Sequence, residues 1–206
     1  MQTINFLFSV VILIMSVVIH EVSHGFAAYK LGDPTAKYSG RLTLNPIKHL
    51  DFVGSFLVPL LTYSVGGFIF GWAKPVPYNP YNLKNQKWGP AIVGAAGPLA
   101  NITVALFFGL MLRFNSQLAF LPTSFFEIIA SIALINLLLA IFNLIPIPPL
   151  DGSKLLFAFL PYRLQGMQQN LERFGFFFLL IFITFFWQLL LPIVFGLFKL
   201  LTGVGA

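Results

Sequence analysis

The chain contains no cysteine and very little charge. Of its 206 residues, 9% are Asp, Glu, Lys or Arg, whereas 58% are hydrophobic. A typical soluble domain carries about 25% charged residues. The absence of cysteine excludes disulfide bonds and thiolate ligands for a metal. The scarcity of charge, together with long apolar runs, predicts a membrane protein and excludes an ordinary soluble enzyme.

The charge that is present is mostly basic, with a formal net value of +6. The basic residues lie in loops between apolar runs, which favours contact with a membrane surface and argues against nucleic-acid binding. The first apolar stretch has no basic segment before it and no small-residue cleavage site. We therefore interpret it as a retained helix and not as a signal peptide.

Five apolar stretches are each long enough to cross a bilayer, which takes about 20 residues. Their approximate limits are Asn5 to Tyr29, Phe52 to Gly71, Ala91 to Leu112, Phe125 to Ile145, and Phe174 to Leu200. Between the first two, Ser39-Gly40 separates TAKY from RLTL. This pattern predicts a small β-hairpin. Its edge, from Tyr38 to Leu44, would either bind an unwound peptide or only close a cavity.

The first apolar stretch contains the motif H-E-x-x-H, formed by His20, Glu21 and His24. Residues four apart on a helix share a face, so the two imidazoles can bind one ion, and such a pair suits Zn²⁺. Glu21 adjoins the first ligand and could act as general base on a metal-bound water. Burial of these groups by chance is the alternative, but polar side chains are costly in lipid. The motif predicts a zinc site.

Two histidines leave a catalytic zinc site one ligand short, because such sites normally use three protein ligands. Asp151 is a candidate, since it follows Pro146, Pro148 and Pro149 in the segment NLIPIPPLDG. The prolines end the preceding helix and leave an extended segment that can direct a carboxylate back into the bundle. Alternatively, Asp151 caps a short helix from about Ser153 to Leu160. Taken alone, the segment leaves both interpretations open.

Topology favours the ligand role. If all five stretches crossed the membrane, Asp151 would lie roughly 20 Å from the histidine pair, on the opposite side. If Phe52 to Gly71 is instead re-entrant or broken, Asp151 returns to the side of the histidines. That side then carries all of the 12 basic residues except Arg113 and Lys199, and the positive-inside rule makes it cytoplasmic.

We therefore predict an all-α polytopic membrane protein. It should be a helical bundle with a re-entrant or broken segment and a small β-hairpin after the first helix. Residues 1–206 should form a single membrane-embedded domain.

Three segments together resemble the site-2 proteases, zinc metalloproteases that cleave within membranes. They are HEVSH in the first stretch, GAAGPLAN in the third, and NLIPIPPLDG after the fourth. The resemblance covers about residues 15 to 160. It implies an intramembrane endopeptidase that binds one Zn²⁺ per chain through His20, His24 and Asp151, with Glu21 as the catalytic glutamate. No PDZ domain fits in this length, so the chain resembles a minimal member.

The resemblance also implies that Asn143 and Asn101 contact the substrate backbone or the oxyanion. Alternatively, Asn143 caps helix carbonyls, and Asn101 bridges two helices. Gly94 and Gly97 should allow close helix packing. The implied partners are a transmembrane protein or peptide substrate and the lipid bilayer. The implied location is a prokaryotic inner membrane, with the active site nearer the cytoplasm.

Two other functions share some of these features. A membrane zinc transporter also places histidine and acidic residues in helices, but it needs polar groups at several depths, and here the candidate ligands cluster toward one side. A non-catalytic metal-binding membrane protein is the other alternative. The intact set of His20, Glu21, His24 and Asp151 argues against it.

Overall fold

The structure is a computed structural model that describes residues 2–51, 54, 57, 64, 74–114 and 122–203. Short 3-10 helices cover Pro46–His49, Pro80–Asn82 and Tyr162–Leu164, and a π-helical turn, Phe182–Phe186, joins the last two α-helices. The α-helices of this part of the chain are α1 (Gln2–Lys30), α2 (Thr35–Tyr38), α3 (Gly89–Arg113), α4 (Thr123–Asn143), α5 (Asp151–Phe159), α6 (Gln165–Ile181) and α7 (Trp187–Thr202).

The predicted membrane character is confirmed by four helical runs within the described residues that are long and apolar enough to cross a bilayer. They are Phe8–Lys30, Gly89–Arg113, Thr123–Asn143 and Gly166–Thr202. The last run is one continuous helix of 37 residues that includes the π-helical turn. At 1.5 Å per residue it is about 56 Å long, which exceeds a hydrocarbon core of about 30 Å. Its polar beginning, GMQQNLER, suits a position outside the hydrocarbon.

Helix α3 lies at the centre of the bundle and packs against α1, α4, α5 and α7. One buried apolar cluster joins α3, α4 and α7 through Ala105, Leu112, Ile129, Ala133, Leu137, Val194 and Phe198. A smaller cluster of Ala28, Leu83 and Val93 joins the end of α1 to the start of α3. The smaller cluster fixes α3 against α1 near the H-E-x-x-H motif.

The predicted re-entrant stretch, Phe52 to Gly71, lies almost entirely outside the described residues. Its two flanks, however, meet. The backbone N–H of Lys74 donates to the carbonyl of His49 at 2.9 Å, and that of Lys84 donates to the carbonyl of Leu31 at 2.9 Å. The chain therefore enters and leaves this stretch at the same end of α1, as the predicted topology requires.

The predicted β-hairpin is wrong. Residues 31–51 contain no strand, and TAKY forms α2. The carboxylate of Asp33 accepts hydrogen bonds from both the backbone N–H and the hydroxyl of Thr35, which stabilises a helical turn instead of an extended one. Gly40 turns the chain with a φ of 64°, and Asn45 then caps the 3-10 helix through the N–H of Ile47. The proposed strand edge from Tyr38 to Leu44 is therefore not formed.

Asp33 connects the two flanks of the undescribed stretch. Its side chain is fully buried, and its oxygens accept from the N–H of Asn79 at 2.6 Å and from the amide of Asn82 at 2.9 Å. Burial alone would raise the pKa of Asp33, but the hydrogen bonds from Thr35, Asn82 and Asn79 outweigh it and hold the pKa below its ordinary value. The ionised carboxylate is therefore the form that stabilises the fold.

We expect Asp33→Asn to lower the stability of the protein in detergent by about 1–3 kcal/mol at neutral pH, because an amide nitrogen would replace one acceptor oxygen. A lowered folded pKa gives stability that is present above the unfolded pKa and lost as pH falls through the folded pKa. The difference between wild type and variant should therefore shrink below about pH 4.

The measurement is thermal unfolding in detergent at pH 7 and at decreasing pH. Glu127→Gln is the matched control, because it removes one negative charge from an exposed carboxylate in α4. It should change stability by no more than about 0.5 kcal/mol. Equal stability of Asp33→Asn and wild type at pH 7 would contradict the proposed role of Asp33.

Candidate metal centre

Helix α1 places His20 and His24 on one face, both buried. Their rings meet edge to face, with centroids 4.6 Å apart. The helix opposite presents Gly97, where an added Cβ would lie 2.5 Å from Nε2 of His24 and 2.6 Å from Nε2 of His20. Gly97 therefore does more than permit close helix packing, because its missing side chain leaves the space in which the two imidazoles converge.

Asp151 reaches the same point from α5. Asp151 is the first residue of that helix. The N-cap position before it is Leu150, which makes no side-chain hydrogen bond to the helix end. Its Oδ2 lies 3.0 Å from Nε2 of His20 and 3.0 Å from Nε2 of His24. The carboxylate is thus directed at the histidines and not at the α5 backbone, and the structure brings together the three predicted ligands.

Gly152 allows the chain to take this path. A Cβ at Gly152 would lie 2.2 Å from the carbonyl oxygen of Leu144 and 2.5 Å from that of Ile145. Both are backbone atoms, which cannot move aside as a flexible side chain could. The segment after α4 therefore folds back tightly against the start of α5, and this close approach positions the Asp151 carboxylate.

The hydrogen bonds of the two imidazole rings determine which nitrogen of each ring has a lone pair available to a metal. Nδ1 of His24 lies 2.6 Å from the backbone carbonyl oxygen of Val93, and Nδ1 of His20 lies 2.5 Å from Oδ1 of Asn101. Because these oxygens only accept, each neutral ring carries its proton on Nδ1 and has a lone pair on Nε2. Metal-binding histidines are normally oriented in this way.

The donor set fits zinc. Two imidazole lone pairs and a carboxylate oxygen converge at 3.0 Å, and in these tautomers no proton lies between them. Such acceptors repel one another unless a cation binds between them. Bonds of about 2.0–2.1 Å in a tetrahedral zinc site give ligand separations of about 3.3 Å, close to those observed. His20, His24 and Asp151 could therefore hold Zn²⁺ with one coordination position open.

The second oxygen of Asp151 accepts from Lys154, whose Nζ lies 2.9 Å from Oδ1 and 5.6 Å from the centre of the Tyr78 ring. Burial alone would lower the pKa of Lys154, but the neighbouring Asp151 carboxylate outweighs burial and raises it. Lys154 is therefore cationic at neutral pH, and it leaves only Oδ2 of Asp151 directed at the histidines. Sequence analysis did not identify this role.

Glu21 lies beside the ligand atoms. One of its carboxylate oxygens and one nitrogen from each histidine all lie within 4.8 Å of one another. Its Oε2 accepts a 2.8 Å hydrogen bond from the backbone N–H of Val76. Val76 is buried in an irregular segment, residues 74–79, and packs where Gly25 of α1 has no side chain. A backbone donor thus fixes one oxygen of Glu21 at the site.

The two predicted asparagines differ in placement. Asn143 is partly buried, and its Nδ2 donates to the carbonyl of Leu139 within α4 at 2.9 Å, so its contact with substrate stays a prediction. Asn101 is fully buried and bonds His20 together with two groups that sequence analysis missed, Asn136 and Ser16. Their only signal in the sequence is that they are polar residues inside apolar stretches.

Comparison with known proteins identifies the family. The sequence profile of Peptidase family M50 matches residues 8–126 and 114–184. The chain is 40% identical over 181 residues to YwhC of Bacillus subtilis (strain 168), named as a candidate zinc metalloprotease, and the match covers 85% of this chain and 80% of that protein. No solved structure matches the chain.

Two further relatives carry similar names. Rip2 of Mycolicibacterium smegmatis is 34% identical over 140 residues, which cover 68% of this chain and 52% of that protein. MJ0611 of Methanocaldococcus jannaschii is 34% identical over 161 residues, which cover 72% of each. Both are named as candidate zinc metalloproteases. The chain therefore belongs to Peptidase family M50, the site-2 protease family, and is an integral membrane zinc metalloendopeptidase.

We expect Gly97→Ala to reduce zinc binding, because its Cβ would enter the space between the two Nε2 atoms. The loss of affinity should be at least about 10–100-fold, the range caused by disturbing groups that only orient metal ligands. The measurement is zinc content and affinity of the purified protein in detergent.

Gly196→Ala is the control, because a Cβ at Gly196 in α7 meets nothing within 4 Å. It adds the same methyl group to a membrane helix and should leave zinc binding unchanged. Wild-type zinc affinity in Gly97→Ala would show that the metal does not occupy the space between the histidines.

Proposed function

We propose that this enzyme hydrolyses peptide bonds in or near transmembrane segments of membrane-protein substrates. The zinc ligands are His20, His24 and Asp151, and Glu21 is the general base. One observation carries the proposal: Oδ2 of Asp151 meets both Nε2 atoms at 3.0 Å, with the Glu21 carboxylate beside them. Both histidines belong to the apolar run Phe8–Lys30, which supports chemistry at membrane depth.

When bound, zinc supplies an activated water and polarises the scissile carbonyl. Glu21 takes the water's proton and transfers it to the leaving amine. The hydrogen bond from Val76 holds Oε2, so the other carboxylate oxygen is the one assigned to proton transfer. Lys154 holds Oδ1 of Asp151 and thereby keeps that side chain in one orientation.

Asn143 would donate its side-chain amide to the developing oxyanion. A comparable donor in another enzyme contributes about 3 kcal/mol to the transition state. In the present structure this amide donates to the carbonyl of Leu139, so it would exchange that hydrogen bond for the substrate oxygen. Because a helical substrate has its backbone hydrogen-bonded internally, the cleaved segment must be unwound before its carbonyl reaches the site.

We also propose that residues 1–206 act as one membrane-embedded domain in a prokaryotic inner membrane, with the active site nearer the cytoplasm. The Asp151 end of the bundle carries the basic side chains of the loops that connect α1 to α3. The positive-inside rule places such an end in the cytoplasm. Arg113 and Lys199 lie near the other end, where the Arg113 guanidinium donates to the carbonyl of Leu200.

We expect Glu21→Gln to abolish cleavage while zinc remains bound. The glutamine is nearly isosteric and can still accept from Val76, but it cannot take a proton from water. Loss of general-base catalysis should reduce the rate by at least about 10²–10⁴-fold. The measurement is zinc content together with cleavage of a single-span model substrate in detergent.

Two controls define the outcome. Glu172→Gln removes an exposed carboxylate of α6 and should cleave at the wild-type rate. His24→Ala should lose both zinc and cleavage. Cleavage by Glu21→Gln at the wild-type rate would refute the assignment of the base. Zinc uptake by reconstituted vesicles, with no cleavage by wild type, would instead favour a transporter.

A further inference from the structure

Three polar side chains lie buried beneath the metal centre and are not needed for the reaction described above. Ser16, Asn101 and Asn136 have 3%, 0% and 0% of their surface exposed. They belong to α1, α3 and α4, inside the three apolar runs that surround the site. Buried polar groups in an apolar bundle are costly unless they are fully hydrogen-bonded, and here they bond one another.

The hydrogen bonds of Asn136 have a defined direction. Its Nδ2 donates to the backbone carbonyl of Ile132 at 2.9 Å and to Oγ of Ser16 at 2.8 Å. A backbone carbonyl only accepts, so the nitrogen must lie on that side of the amide. The oxygen of Asn136 must then face Asn101.

Asn101 continues the same direction. Its Nδ2 donates to Oδ1 of Asn136 at 2.7 Å and to the backbone carbonyl of Ser16 at 3.3 Å. Both amide hydrogens are therefore used, and Oδ1 is left to face Nδ1 of His20 at 2.5 Å. Because this oxygen only accepts, the proton of the neutral His20 ring is held on Nδ1 and the lone pair on Nε2.

We propose that Asn136, with Ser16, is a positioning residue for the zinc site. It fixes the orientation of the Asn101 amide and, through it, the tautomer of His20 that binds metal. The proposal rests on the assignment of His20 as a zinc ligand. The side chains of Asn136 and Ser16 do not hydrogen-bond to a predicted ligand, so their effect on the His20 ring is transmitted by Asn101.

The alternative orientation shows why this matters. If the Asn101 amide were reversed, its nitrogen would donate to Nδ1 of His20, and the ring proton would move to Nε2. Nε2–H would then donate to Oδ2 of Asp151, which lies 3.0 Å away. Zinc would have to displace that proton before it could bind. The hydrogen bonds of Asn136 to Asn101, Ser16 and Ile132 disfavour this reversed orientation of the Asn101 amide.

The second histidine provides an internal comparison. The Nδ1 proton of His24 is held by the backbone carbonyl of Val93, which cannot rotate as a side-chain amide can. Its tautomer does not depend on Asn136. A change at Asn136 should therefore affect the ring of His20 and leave the ring of His24 as it is.

The test compares zinc affinity, by chelator competition in detergent, across four variants of the full chain. Asn136→Leu and the smaller Asn136→Ala remove the acceptor for Asn101, and each should weaken zinc binding about 10–100-fold, as loss of ligand-orienting groups does. Asn136→Asp, neutral in this apolar site, keeps an acceptor and one donor and should retain affinity. Thr103→Val removes a hydroxyl that bonds only its own helix, to Leu99, and should have no effect.

Two further measurements distinguish a positioning role of Asn136 from a general effect of the substitutions on stability. Leu137→Ala lowers stability next to Asn136 without removing a hydrogen bond, and it should keep wild-type zinc affinity. In ¹⁵N and ¹H spectra of the zinc-bound protein, the Nδ1 proton of His20 should show its hydrogen bond to Asn101 in wild type, and this hydrogen bond should be weakened in Asn136→Leu or Asn136→Ala, while the Nδ1 proton of His24 stays unchanged.

The proposal is overturned if both acceptor-removing variants keep wild-type zinc affinity, or if Asn136→Asp and Leu137→Ala lose as much affinity as they do. These results are distinguishable from failure of the proposed function. If His24→Ala still bound zinc as wild type does, the ligand assignment itself would fail. If His24→Ala lost zinc while Asn136→Leu and Asn136→Ala kept it, only the positioning role would fail.

Discussion

The convergence of one carboxylate oxygen on two imidazole nitrogens is the interaction on which the rest of the structure depends. Oδ2 of Asp151 and the Nε2 atoms of His20 and His24 are all acceptors in the tautomers that the structure favours. In an apolar bundle this arrangement is unfavourable without a cation, since buried lone pairs without donors are costly. The helices, loops and hydrogen bonds around the site hold these atoms together.

The site depends on three glycines, each of which lets another part of the chain pack directly against its backbone. Gly97 of α3 leaves space for the rings, Gly152 lets the chain fold back at the start of α5, and Gly25 of α1 admits Val76 next to Glu21. At Gly97 and Gly152 the nearest atoms belong to ligand rings or to backbone, which cannot readily shift. A membrane bundle that used larger residues there would separate the ligands, although its apolar pattern would be the same.

The sequence was sufficient to predict that the three candidate ligands lie close together. Spacing placed His20 and His24 on one helix face, and the proline segment with the basic loops placed Asp151 on their side of the membrane. These rules depend on helix periodicity, ligand number and charge. The strands predicted after α1 did not form, because the hydrogen bonds of Asp33 to Thr35 favour a helical turn, and Asp33 in turn depends on Asn79 and Asn82 far along the chain. A short segment whose conformation is decided by distant partners cannot be predicted from its own residues.

Asn101 was predicted from the sequence as a site residue, whereas Asn136 was not, because only Asn101 belongs to a local sequence pattern. Asn101 lies in a motif with a recognisable pattern, whereas Asn136 is a single polar residue in TSFFEIIASIALINLLLAIFN. Its importance is only visible when the directions of its hydrogen bonds are followed to His20. In a bundle with so few charges, the order of donors and acceptors can carry information from one helix to the next without any ion pair. The metal centre is therefore defined not only by the groups that could bind zinc but also by the buried amides that determine which nitrogen faces it.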